Sequence, residues 1–565
     1  MRFSEMKYSR PEFAAFENEF NRVLYQFSIA PNEQVQLHLF NEIYVLRRQF
    51  ETMMTLASIR NSLNTADAFY GAEQTFFDEQ EPHYKKLVTA FYRALLNAPY
   101  RSALEKRYGV LLFKLAELSL KTFDESIIED LQKENALGTE YTKLLASAKL
   151  EFDGKEYNLA GLAPFKLSPN RSIRMRASET YDIFFEKNKI QLDRIYDEMV
   201  KLRHKMARKL GFNNFVELGY ARLSRTDYAP TAVKIFRDAV LRHLVPIAQE
   251  IKTRQQQRLG ISDFKYYDEP LDYPGGNPQP QGNPEWIVSN AATMYKELSP
   301  ETDDFFRFMQ QNELMDLINK PDKAGGGYCT FISGYQSPFI FSNFTGTSHD
   351  IDVLTHEAGH AFQCYRSRYL GIEEYYFPTL EACEIHSMSM EFLTWPWMSL
   401  FFKEHTDKYK YSHLSRALTF IPYGCAVDEF QHWVYENPEC DPDERHAMFR
   451  HIEKKYLPHR DYAGNSYMEA GGFWQRQSHI YRSPFYYIDY TLAQLCAFQF
   501  WHRSLQSRDE ALKDYIHLCD QGGSKSFLNL IEVAQLNSPF CEDTIKEVAS
   551  QVRAWLEQMP EEKLA

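Results

Sequence analysis

The chain has no cysteine before Cys329, and none of its eight cysteines (Cys329, Cys364, Cys383, Cys425, Cys440, Cys496, Cys519 and Cys541) forms a CxxC pair. A disulfide scaffold uses cysteine densely and early, so this spacing excludes one and implies reduced, structural thiols. No stretch approaches the roughly 18 consecutive apolar residues of a membrane-spanning helix. The N-terminus, MRFSEMKYSRPEFAAFENEF, is charged and lacks the apolar run of a signal peptide. A cytoplasmic location is therefore expected. Basic charge is also in short supply, with 64 Lys+Arg against 77 Asp+Glu and a net charge of −13. Nucleic acid and anionic membrane both need a basic surface, so neither is expected as a partner. There is no internal repeat and no low-complexity segment. What the chain does have is apolar material, 44% hydrophobic and 15% aromatic residues, enough for a large core and too much for a disordered chain. At about 150 residues per domain, its 565 residues suggest three or four structural units.

Helical periodicity dominates. Residues 12–28 place Phe13, Phe16, Phe20, Val23 and Leu24 at three- and four-residue spacings, an amphipathic helix. Residues 33–63 and 84–122 read as long helices of mixed charge. Around Leu162–Asn170, Ser168 followed by Pro169 has the form of an N-cap with proline at the first helical position. This predicts a boundary dividing an N-terminal helical region, 1–165, from 166–565. Residues 171–208 read as charged helix, and 268–286, rich in proline and glycine, as a loop. Only Lys323–Gly346 reads as β: three consecutive glycines, then β-branched and aromatic residues, then a Ser-Gly-Tyr turn. Helices return from Ser348 onward. The expected fold is all-α with one small β-hairpin or sheet.

Residues 356–360 read His-Glu-Ala-Gly-His. Two histidines four apart on a helix share one face, with Cβ atoms roughly 5–6 Å apart, so their imidazoles can converge on one tetrahedral Zn²⁺. Glu357 then lies beside the open coordination position, where its carboxylate can take a proton from the attacking water. Thr347-Ser-His-Asp350 has capping-box form at the start of this helix. Gly359 costs a helix up to ~1 kcal/mol relative to alanine, so a packing reason is expected for it.

A catalytic zinc needs a third protein ligand. Residues 379–394 (TLEACEIHSMSMEFLT) predict a second helix that offers Glu381, Glu384, His386 and Glu391. Glu384 and Glu391, seven apart, share one face, while Glu381 lies one turn before Glu384. A carboxylate here would complete a His-His-Glu set, and buried carboxylates need partners.

Together these residues resemble the thimet oligopeptidase / oligoendopeptidase F family of zinc metallopeptidases, including its Pz-peptidase-like branch. The resemblance rests on HEAGH followed by Glu384-Ile-His-Ser387-Met-Ser-Met-Glu391, on the Gly-Gly-Gly-Tyr hairpin segment, and on Ser168-Pro169-x-Arg171 and Phe215-Val-Glu-Leu-Gly-Tyr220. It covers about residues 165–555, with the N-terminal helices matching more loosely. Glu384 matches the family's third zinc ligand, with Glu381 the choice if the alignment slips one turn. The longer family signature often has a further histidine where this chain has Gln363, which bears on subfamily and substrate preference but not on zinc. The resemblance implies one Zn²⁺ per chain and two helical lobes around a deep channel that admits short unstructured peptides. It implies the activity of an endopeptidase on such peptides.

The resemblance also points to residues 479–490. His479 matches a family histidine facing the zinc, and Tyr486 and Tyr490 match the tyrosines that follow, with Tyr487 a competitor. A phenolic hydroxyl is a neutral donor near pH 7 and can stabilise the tetrahedral oxyanion of peptide hydrolysis. The hairpin could hold an extended peptide main chain to main chain at its edge, glycines permitting close approach. Two other readings remain open. One is a non-catalytic helical binding protein, in which HEAGH is inert or the zinc is purely structural, with Cys364 and Cys383 as candidate closing ligands. The other is a zinc carboxypeptidase, which would need a cation for the substrate's terminal carboxylate that the sequence does not identify. Oligomeric state is not legible.

Overall fold

The computed structural model describes residues 1–320 and 322–564. Helices make up most of it, as the periodicity predicts. Phe13–Ser28, Glu33–Leu63 and Ala68–Leu96 pack through Phe20, Val23, Phe27, Phe40, Leu87 and Phe91, all buried. Asn32 and Asp67 cap the second and third of these helices by accepting from backbone N–H groups of the first turn. The predicted helix 84–122 is instead three pieces, the end of Ala68–Leu96, then Arg101–Tyr108 and Leu111–Thr122. The breaks fall at Asn97-Ala-Pro and at Gly109, which takes φ +86°. This apolar cluster includes Ile372 and Tyr375. Beside it Arg47 pairs with Glu374 at 2.6 Å, while Tyr44 and Tyr92 donate to the same carboxylate. The N-terminal helices thus grip the segment that joins the two helices of the candidate site.

The helix expected after Ser168-Pro169 begins later, at Arg171. Its cap is Asn170, whose side chain accepts from Ser172 N and Ile173 N. Asparagine at N-cap leaves Pro169 outside the helix. Asn188 then divides Arg171–Lys187 from Lys189–Lys209.

β structure is not confined to 323–346. A two-stranded hairpin pairs β1 (Leu150–Phe152) with β2 (Lys155–Tyr157) through Asp153-Gly154, both at positive φ. The Asp-Gly signal of a tight hairpin turn was present in the sequence but too short to stand out. The second sheet holds β3 (Met315–Ile318), β4 (Tyr328–Ile332) and β5 (Ser337–Phe344) in the order β3-β5-β4. β3 runs parallel to β5, and β4 antiparallel, with Cys329 opposite Ile340. The predicted hairpin is therefore the β4–β5 half of a mixed sheet, and β4 is an edge.

Four helices position the candidate site: Ser348–Ser367, Leu380–Leu393, Thr406–Glu436 and Tyr487–Gln506. Gly359 explains itself here, because a Cβ at that position would stand 2.5 Å from His386 O and 2.6 Å from Ser387 Cα. Only glycine lets the HEAGH helix approach the carboxylate helix this closely. Gly424 does the same for the Thr406–Glu436 helix, where a Cβ would meet Thr491 Cγ2 at 2.2 Å. Thr347 occupies the N-cap of the HEAGH helix but its side chain makes no capping bond; Asp350 instead accepts from Thr345 N (2.9 Å) and Gly346 N (2.7 Å). Among the described residues no helix is long and apolar enough to cross a membrane. All eight cysteines are free thiols, five of them buried.

Candidate active site

The close helix contact brings Glu384 over His356 and His360, whose rings are 5.0 Å apart. One ligand atom from each of the three residues lies within 4.8 Å of the others. Glu384 Oε2 is 3.2 Å from His356 Nε2 and 3.6 Å from His360 Nε2. Ser387 donates to the same oxygen at 2.8 Å, and Tyr486 donates to Oε1 at 2.8 Å. Burial opposes ionisation of Glu384, but His360 and His356 hold its carboxyl well below the usual range.

Of the carboxylates weighed on the second helix, Glu381 points elsewhere. It is buried beside Arg225, with Asp489 and Tyr228 nearby, and does not join the cluster. Glu391 takes a supporting place. It accepts from His356 Nδ1 and from His413 Nε2, each at 2.7 Å, and Trp395 Nε1 donates to His413 Nδ1 at 3.2 Å. This chain assigns the tautomers: His356 carries its proton on Nδ1 and turns the Nε2 lone pair toward the cluster. Burial pushes the Glu391 carboxyl up, yet the hydrogen bonds from His356 and His413 hold it at about 2. Sequence reading noted that Glu391 would need a partner. It missed His413 and Trp395, which lie on other elements and carry no motif.

Glu357 is buried, and its Oε1 faces Gly327, the residue just before β4, 3.6 Å from where a Cβ there would be. No described residue hydrogen-bonds its carboxylate. Burial raises its pKa, against the pull of His356 and His360. It is an uncommitted carboxylate beside the two histidines.

The tyrosine segment is held by a strained residue. Phe485 has φ +67°, a left-handed conformation that costs a bulky side chain ~1–3 kcal/mol unless its surroundings enforce it. They do: its N–H donates to Gln431 Oε1 at 3.0 Å, and its C=O accepts from Arg225 Nη2 at 2.7 Å. Its ring packs so closely on Gly219 that a Cβ there would stand 2.6 Å from Cδ2. Arg225 also pairs with Asp489 at 2.5 Å, so the loop and the first turn of the tyrosine helix are tied together. The outcome is that Tyr486 faces Glu384 and that Tyr490 lies 4.8 Å from Tyr486 and 5.8 Å from His479, ring to ring. Tyr487 packs on Phe420 and Tyr423 and stands 5.0 Å from His479. Gln477 Nε2 donates to His479 Nδ1 at 2.7 Å, which leaves the proton on Nε2, and burial lowers the pKa of this histidine. His479, Tyr487 and Tyr490 line a cavity of about 380 Å³ together with Glu391 and His413.

Neither Cys364 nor Cys383 joins the cluster. Cys364 lies against Tyr376 O at 3.7 Å and Cys383 against Pro378 O at 3.3 Å. Gln363, at the position of the missing family histidine, is buried and donates to Ser367 Oγ and Tyr376 O.

A helical protein with two imidazoles and a carboxylate gathered in this way, and a free glutamate beside them, is of the metallopeptidase class. Residues 3–123 match the peptidase M3 N-terminal domain and residues 301–550 match peptidase family M3. Among solved structures, Pz peptidase A with inhibitor 2 is 56% identical over 99% of both chains, with a TM-score of 0.95. A structure described as an oligoendopeptidase F is 56% identical over 100% of both, TM-score 0.96, and another, from Bacillus anthracis str. Ames, is 53% identical over 99% of both, TM-score 0.91. No curated protein matches. The chain belongs to peptidase family M3, and it is a metalloendopeptidase of the oligopeptidase type.

Proposed function

We propose that this protein cleaves internal bonds of short unstructured peptides with one zinc ion held by His356, His360 and Glu384. The observation that carries the reading is the convergence of these three ligand atoms beside the uncommitted carboxylate of Glu357. Two imidazole nitrogens and a carboxylate oxygen fit zinc, and three protein ligands leave a position open for chemistry. Zinc bound there would supply Lewis acidity toward the scissile carbonyl and lower the pKa of water.

The remaining work falls to the chain itself. Glu357 takes the proton of the attacking water and returns it to the leaving amine. Tyr490 and the Nε2–H of His479 donate to the developing oxyanion. Tyr486, with its hydroxyl already on Glu384 Oε1, orients the carboxylate and is free to turn toward substrate only by releasing it. The edge strand β4, which follows Gly327 next to Glu357, pairs with the extended peptide main chain.

Incubation with a mixed peptide library, followed by mass spectrometry, tests this. Internal cuts that vanish with a chelator and return with zinc are expected. An absence of cuts, cuts indifferent to the chelator, or removal of terminal residues only would overturn the reading. A second expectation concerns the support of His356: Glu391→Gln should weaken zinc binding ~10–100-fold, measured by competition with a chromophoric chelator.

A further inference from the structure

The Thr406–Glu436 helix runs beneath the catalytic cavity. It presents His413 to Glu391 and, one turn later at ~5 Å of rise, Arg416. Arg416 borders two spaces. It lines the 380 Å³ cavity with Asp352, Glu391, His479 and Tyr490, and it lines a larger cleft of about 780 Å³ walled by residues of 164–169, the loop 275–281 and the start of the HEAGH helix. In a chain of net charge −13, the described lining of this cleft holds His349, His405, Lys408 and Arg416 and no aspartate or glutamate.

The Arg416 side chain is 43% exposed. Its Nε donates to Ser412 O at 3.2 Å, and its nearest carboxylate, Asp272, is 3.7 Å away, too far for a hydrogen bond. No described residue accepts from either terminal nitrogen. Lys408 stands 5.5 Å from the Tyr273 ring and has no ion-pair partner among the described residues. An arginine serving only to neutralise a neighbour would commit its fork to that neighbour. Arg416 has Asp272 and Asp352 as neighbours, yet its terminal nitrogens, which match a carboxylate in two parallel hydrogen bonds, are uncommitted among the described residues, and the residue lines both spaces.

We propose that Arg416, supported by Lys408, binds a carboxylate of the substrate peptide, either its C-terminus or an Asp or Glu side chain, and so fixes the cut within a few residues of that group. The inference rests on the peptidase reading above and names part of its substrate class. It also bears on the cation for a terminal carboxylate that the sequence left unidentified.

The test measures kcat/KM on matched peptides in two arms: free-acid against amidated C-termini, and single Asp against Asn placed at successive positions. Wild-type protein should favour the carboxylate member ~10–100-fold in one arm, the size of a charge-assisted hydrogen bond, and the arm that responds identifies the source. Arg416→Met should bring that ratio near one, Arg416→Lys should retain part of it, and Lys408→Met should reduce it less than Arg416→Met. Melting temperature and zinc content confirm that the variants are folded. Equal rates in both arms for the wild type overturn the proposal, as does an unchanged ratio in folded Arg416→Met. A wild-type protein that cuts none of the peptides would instead defeat the peptidase reading, so the two failures are distinct.

Discussion

Glu357→Gln is expected to keep the fold and the zinc while losing ~10²–10⁴-fold in kcat, the usual contribution of a general base. The substitution keeps the shape and burial of the side chain, and no described residue depends on its charge for a hydrogen bond. What it removes is the ability to accept a proton, since a neutral amide is far too weak a base to take one from water. The carboxylate also stands outside the cluster that could hold the metal, which His356, His360 and Glu384 form without it. Zinc content measured beside single-turnover rates checks both halves. A variant that retained more than about a tenth of wild-type kcat would show that another group takes the proton.

Tyr490→Phe is expected to lower kcat by ~10²–10³-fold with much less effect on KM, because a hydroxyl that meets the oxyanion acts mainly in the transition state. Phenylalanine preserves the ring that packs against Tyr486 and His479. A packing role would therefore leave turnover nearly intact. The same change at Tyr486 should fall differently. Its hydroxyl is hydrogen-bonded to Glu384, so its loss should appear in zinc affinity as well as in rate. Tyr487→Phe should matter least, since its ring is engaged with Phe420 and Tyr423. Wild-type rates for all three variants would remove the tyrosines from the mechanism and leave His479 as the remaining donor in this segment.

The parts of this site that could be read from the sequence are those carried by local periodicity. HEAGH announces itself because the i, i+4 spacing and the helix that bears it are properties of the same five residues. Glu384 was less legible. Spacing alone left Glu381, Glu384 and Glu391 open, and the family resemblance chose among them. In the structure Gly359 permits the close helix contact in which Glu384, and not Glu381, joins the two histidines. His413 and Trp395 had no signal at all, because what recruits them is the unmet Nδ1 of His356 across a tertiary contact. Phe485 illustrates the reverse case. A left-handed backbone usually advertises itself with glycine, and here Gln431, Arg225 and Gly219, all distant in sequence, impose it on a phenylalanine. The mixed sheet was half visible. β4 and β5 are neighbours in sequence and read as a hairpin, whereas β3 joins in parallel from outside the segment and is too short to stand out.

Zinc stoichiometry in Glu384→Ala and Glu381→Gln tests the central claim most directly. The account predicts one zinc per chain in the wild type, almost none in Glu384→Ala, and wild-type content in Glu381→Gln, whose side chain belongs to the buried group around Arg225. Full zinc in folded Glu384→Ala together with its loss in Glu381→Gln would contradict the assignment of the third ligand and, with it, the geometry on which the mechanism rests.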